Sequence, residues 1–181
     1  MEKAVYLGND TAGYDLKMKC IEYLEGKKIP YVDCGAMNDP DIESTRYPFF
    51  AARVAVAVSK GDARCGVLVC GSGIGVSIIA NKFKGVRAAL CTSSYMSRMT
   101  RAHNDANILC LGGKMIGEWE ALDILDIFLN TGYDEGFHKG SLDQITKAEN
   151  TMMTGELWCE APCKISTGPL KDAEIFDRSL G

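Results

Sequence analysis

The 181-residue chain is poor in histidine: only His103 and His138 are present, far from the i, i+4 spacing that sets two imidazoles on one helix face. The pattern argues against a histidine-built metal centre. No charge sign dominates, with 20 Lys+Arg against 24 Asp+Glu and a net charge of -4. A broad nucleic-acid surface needs clustered positive charge to displace counterions, so nucleic acid is not an expected partner. Long apolar runs are missing as well; none approaches the roughly 20 residues that span a bilayer, and no basic start leads into an apolar signal core. A membrane is not an expected partner either, and the cytoplasm is the expected compartment.

What is present is the composition of an ordinary globular domain, 46% hydrophobic and 24% charged. A chain of this length buries roughly 70% of its unfolded surface and needs no disulfide or metal to hold it together. Cysteine is plentiful, eight residues, but most sit inside apolar runs such as GVLVC and AALC and read as reduced core thiols. Cys159 and Cys163, near the end, read as packing residues rather than a redox pair.

Short β-rich runs end near Leu7, Cys34, Cys70, Cys91 and Leu111, and helical patterns separate them: residues 14–25, 48–59, 74–82 and 93–102. In the fourth helix Tyr95, Met96 and Met99 are expected to face inward. The alternation predicts a Rossmann-like, doubly wound three-layer α/β sandwich on a five-stranded parallel sheet. Further helices are expected at 118–130 and 140–151. Residues 1–150 form the expected domain, and 151–181 an irregular tail that packs on the body or on a partner subunit.

In such a sheet ligands bind beyond the carboxyl ends of the strands. Three segments stand out: Gly8 to Gly13, Cys70 to Gly75, and His103 to Asn107, all expected to converge at one end. Glycines 71, 73 and 75 let a backbone approach a ligand and turn the N–H groups of the next helix toward negative charge. A dinucleotide fold is the rival, since Asp33 lies about twenty residues beyond the first turn. It fails because Asp10 stands where the middle glycine of GxGxxG must admit a pyrophosphate, and no GK[ST] P-loop is present. Cys70 combines a strand end, a glycine turn and a helix N-terminus, the surroundings of a reactive thiolate.

Together, LGNDTAGYDLK, YPFFAARVAVAV, GVLVCGSGIGVSIIANKFKGVRAAL and SRMTRAHNDANILCLGGKMIG resemble the ribose-5-phosphate isomerase B and galactose-6-phosphate isomerase family over about residues 1–150. The resemblance implies an aldose–ketose isomerase working through a cis-enediolate without metal or cofactor. It implies Cys70 as the base, with the N–H groups of Gly71, Gly73, Ile74 and Gly75 facing the enediolate. Ser72 and His103 would assist ring opening, Asp10 and Asn104 would hold hydroxyls, and Thr11 and Tyr47 would line the pocket. It also implies a homodimer or homotetramer with sites at the subunit interface.

The departures bear on the substrate. Thr11 replaces a usual histidine, Phe137 and Ser141 stand at the usual phosphate-arginine positions, Lys114 replaces another arginine, and Arg46 replaces an acidic residue. Either Arg46, Lys114 and Lys139 hold a phosphate or carboxylate, or the substrate lacks phosphate and Phe137 is an apolar wall; the altered substrate is preferred. Galactose-6-phosphate isomerases work as mixed complexes, so the alternative is a sugar-binding partner subunit inactive alone.

Overall fold

The computed structural model describes residues 3–36 and 46–154. Residues 155–181, with Cys159, Cys163 and most of the expected tail, lie outside the described residues. The chain divides into two compact units, Met1–His138 and Lys139–Gly181.

In the first unit the strands are β1 (Val5–Asn9), β2 (Tyr31–Asp33), β3 (Cys65–Cys70), β4 (Ala88–Leu90) and β5 (Ile108–Gly112). They form one parallel sheet in the order β2-β1-β3-β5-β4. The helices are α1 (Tyr14–Gly26), α2 (Tyr47–Ser59), α3 (Ile74–Ala80), α4 (Ser94–Asn104) and α5 (Glu118–Asn130). A sixth helix, α6 (Phe137–Met152), begins at the end of the first unit and supplies the described helix of the second, where Lys139 pairs with Asp143 at 3.0 Å. No helix among the described residues is long and apolar enough to cross a membrane.

The doubly wound arrangement follows from β3, whose six residues are all buried. A strand buried on both faces must be apolar throughout, and its period of two divides it between layers. Val67 and Val69 face a core with Leu16, Ile21 and Leu24 of α1 and Ile124, Leu125 and Phe128 of α5. Leu68 and Cys70 face the opposite core, with Ala51 and Val54 of α2 and Val76 of α3. Each fully buried Leu, Val or Ile contributes about 1.5–3 kcal/mol by leaving water. Gly66 is glycine because a Cβ would fall 2.6 Å from Val54 Cγ1.

Of the three α4 side chains expected to face inward, Met99 is half-buried and the other two are turned out. Tyr95 is 71% exposed and Met96 41%; α4 buries Ser97 and Ala102 instead, and the Ser97 hydroxyl donates to the Ile124 carbonyl at 2.7 Å. Small residues let α4 and α5 approach closely, so the large side chains are pushed to the rim. Phe49, Ile78 and Trp119 are likewise exposed.

Candidate active site

The chain runs from β1 outward to β2 and from β3 outward to β4, so the winding reverses between β1 and β3, which are neighbours. Beyond their carboxyl ends three loops interlock. After β1, Asp10 accepts a hydrogen bond from the Gly13 N–H at 3.0 Å and caps a 3₁₀ turn, Thr11–Gly13. Gly13 lies so close to β3 that a Cβ would meet the Val69 carbonyl oxygen at 2.3 Å. After β5, the Gly113 N–H donates to the Cys70 carbonyl at 2.8 Å and the Lys114 N–H to the Gly71 carbonyl at 3.0 Å.

Cys70 is thus held from both sides, and its side chain is buried. The Gly73 N–H points at its sulfur, 3.2 Å away. Such an N–H bonds more strongly to a thiolate than to a thiol. Gly73 adopts φ 78°, and a Cβ there would meet Leu90 Cδ1 at 2.5 Å and the Leu111 carbonyl carbon at 2.9 Å; both the turn and the crowding require glycine. The Ile74 N–H donates to Ser72 Oγ at 3.3 Å. Two of the N–H groups expected to face a ligand therefore bond to the side chains of Cys70 and Ser72. The Tyr47 ring covers Gly75, whose Cβ would lie 2.8 Å from Tyr47 Cζ. Arg46, Thr11 and Lys114 are exposed at the same end of the sheet.

Three other buried thiols, Cys20, Cys65 and Cys91, lie in the core under α1 and α5. Burial pushes Cys20 up to about 12, a backbone hydrogen bond offsetting it only in part, and Cys91 up to about 11; it also raises Cys65 to about 11 against the pull of nearby arginines. They are protonated core residues at neutral pH.

Asp10 carries a cost of its position. Burial raises its carboxyl above the usual aspartate range, and the hydrogen bonds from Gly13 and Ala12 offset this only in part. The folded state therefore holds the Asp10 proton to higher pH than the unfolded chain does, so the group lowers stability as pH rises through that interval and keeps lowering it at neutral pH. Asp10→Asn retains an oxygen for Gly13 and removes the charge. Urea unfolding should find it more stable than the parent at pH 7, with the difference vanishing below the ordinary aspartate pKa of 3.8, where Asp10 is protonated in both states. A variant less stable at pH 7 would refute this account.

His103 and Asn104 do not join these loops. They close α4, which precedes β5, and a segment preceding a strand opens at its amino end. Arg87, just before β4, donates to the Asn104 carbonyl at 3.0 Å, whereas Cys70 pairs with Gly112 at the far end of β5. A five-residue strand separates them by roughly 13 Å within one chain. The expected convergence of all three segments is corrected accordingly: two lie at the carboxyl end and the third at the amino end. There His103 stacks on His138, ring centroids 4.0 Å apart and planes 13° from parallel, with Phe137 edge-on to His138. The sequence gives no short-range signal for this stack, because the two histidines meet only through α5 and its following loop. Asp33, the acid of the rejected dinucleotide reading, is bound 2.6 Å from the buried Lys17 ammonium.

The family model described as Ribose/Galactose Isomerase matches residues 5–145. The chain belongs to the ribose/galactose isomerase family. Among the relatives of this isomerase, ribose-5-phosphate isomerase B of Escherichia coli is 37% identical, covering 81% of this chain and 97% of the relative. The 4-deoxy-4-sulfo-D-erythrose isomerase of a Clostridium species is also 37% identical, over 82% and 96%. The solved ribose-5-phosphate isomerase B of Clostridium thermocellum superposes with a TM-score of 0.78 at 41% identity, covering 82% of this chain and 99% of that one. The isomerase is accordingly of the aldose–ketose class.

Proposed function

We propose that this isomerase interconverts a small aldose and its ketose by proton transfer at Cys70. The single observation that carries the reading is the buried Cys70 sulfur with the Gly73 N–H aimed at it. The thiolate takes the C2 proton of the open-chain aldose, leaving a cis-enediolate; returning the proton to C1, while a hydroxyl proton moves from O2 to O1, gives the ketose. Ser72 and His103 assist opening of the cyclic sugar, and Asp10, Asn104, Thr11 and Tyr47 hold its hydroxyls and ring. Of the four N–H groups in this turn, those of Gly71 and Gly75, not bonded to the side chains of Cys70 and Ser72, stabilise the developing negative charge.

The site is completed by a second copy of the chain, which brings its His103 and Asn104 to the carboxyl end of the first. Their position at the amino end supports this, as does the exposed apolar face beside Tyr47, with Phe49, Val56, Ile74 and Ile78. The end of the sugar distal to the reacting carbons lacks a paired-guanidinium clamp, since Phe137 and Ser141 stand in the arginine positions of sugar-phosphate relatives. Arg46 and Lys114 offer single cationic contacts that suit a sulfonate or carboxylate better than a phosphate dianion. The substrates named for two relatives, ribose 5-phosphate and 4-deoxy-4-sulfo-D-erythrose, bracket this choice.

The test is turnover of the pure chain on ribose 5-phosphate, free pentoses and tetroses, erythrose 4-phosphate and 4-deoxy-4-sulfo-erythrose. The sulfonated tetrose should show kcat/KM about tenfold or more above ribose 5-phosphate, the value of one good charge-assisted contact. Solvent deuterium should enter the product at C1 or C2. Ribose 5-phosphate as the best substrate would overturn the substrate reading, and no turnover of any member would overturn the enzyme as a self-sufficient isomerase.

A further inference from the structure

The end of α4 is held far more firmly than a helix terminus requires. Asp105 follows Asn104 in a left-handed conformation, φ 43°, rare for a residue with a side chain. Its carboxylate is shared by two guanidiniums: Oδ1 accepts from Arg101 at 3.0 Å and Oδ2 from Arg87 at 2.7 Å. The same arginines bind three consecutive carbonyls. Arg87 donates to those of Asn104 and Asp105, at 3.0 and 2.9 Å, and Arg101 to that of Ala106. Arg101 is itself fixed by the Thr131 carbonyl and by the Phe128 ring beneath it. The main chain directly after His103 is thus clamped to β4, α4 and α5 at once.

The side chains it carries are left unspent. Among the described residues the Asn104 amide and the His103 ring nitrogens make no hydrogen bond; His103 makes only its stack on His138. A clamped backbone bearing unsatisfied donors and acceptors is what a preorganised contact to a ligand needs, because the ordering is complete before binding. We propose that Asp105, through Arg87 and Arg101, is the positioning residue that presents His103 and Asn104 to the sugar held by the second copy. This rests on the role given to His103 above.

Asp105→Asn separates positioning from folding. Asparagine tolerates the left-handed backbone and keeps the volume, so the turn survives while both charge-assisted bonds weaken. Measured on the panel sugar converted fastest, kcat should fall about 10²-fold, the scale of a misplacement near 1 Å, with KM changed much less. In a background carrying both His103→Gln and Asn104→Ala the same substitution should produce no further loss, since nothing remains to position. Proton NMR should show the His103 ring resonances losing the upfield shift that stacking on His138 produces. Arg101→Lys, which keeps the charge but not the fork, should repeat the pattern if Asp105→Asn folds poorly.

Equal loss in both backgrounds would mean a structural role only and overturn the proposal, as would unchanged kcat in both variants. The underlying reading fails separately: His103→Gln with full turnover would remove the role of His103 and the positioning proposal with it. A crippled His103→Gln beside a fully active Asp105→Asn would remove the positioning proposal alone.

Discussion

Cys70→Ala is expected to lower kcat by about 10²–10⁴-fold, the usual worth of a positioned general base, and to abolish deuterium entry at C1 and C2. The size of the effect follows from the absence of a substitute. The loops that meet at Cys70 hold each other through backbone groups: the Gly13 approach to Val69 and the Gly113 and Lys114 N–H bonds to the Cys70 and Gly71 carbonyls. None of these depends on the sulfur, so the alanine variant should keep the loop geometry. It loses a small buried side chain and leaves the Gly73 N–H without its acceptor, together a stability cost of about 1–3 kcal/mol. The control is Cys110→Ala, a thiol on the same core face whose burial raises it well above its ordinary range. That variant should lose comparable stability and retain turnover. A Cys70→Ala enzyme within a few-fold of the parent would remove the proposed base, because stability alone moves both variants together.

The framework was legible because the central strands β3 and β5 are short, apolar and bounded by turn residues, and because a parallel sheet requires crossover helices. GVLVC marks β3 without ambiguity: a run buried on both faces has no polar alternation to confuse it. The helices covering it were legible for the same reason, whereas their faces were less so. Tyr95 and Met96 fit an inward stripe by spacing, but the close approach of α4 to α5 favours Ser97 and Ala102, and nothing local records that distance. Cys70 and its glycines were legible as a site because strand, turn and helix are contiguous in sequence. Placement of His103 needed topology instead. HNDAN matches the carboxyl-end loops in chemistry, yet α4 leads into β5 and so delivers it to the amino end. The Arg87–Asp105 half of the clamp joins residues 18 apart and was invisible for the same reason, since side chains that meet across two strands leave no periodic trace.

That opposition of ends leads to the most decisive result expected of this protein. Cys70→Ala and His103→Gln should each be nearly inactive as pure proteins, and active when combined. In a dimer with sites at the interface, each site takes Cys70 from one copy and His103 from the other. A heterodimer of the two variants therefore gathers both defects into one site and leaves the other intact. Random mixing with full subunit exchange yields heterodimers as half the population, each with one working site, so about a quarter of parental turnover should return. Heterodimers purified through two different affinity tags after co-expression should reach about half, which removes dependence on exchange. A site contained in one chain predicts no recovery in either format, because every copy would carry a broken site. Asp105→Asn gives the sharper version of the experiment. It should be rescued by the Cys70→Ala partner, whose own His103 segment is sound, and not by the His103→Gln partner, whose defect lies in the same half. Rescue by both, or by neither, would place His103 outside the shared site, and with it the reason this chain keeps its two histidines stacked at the end of the sheet away from its base.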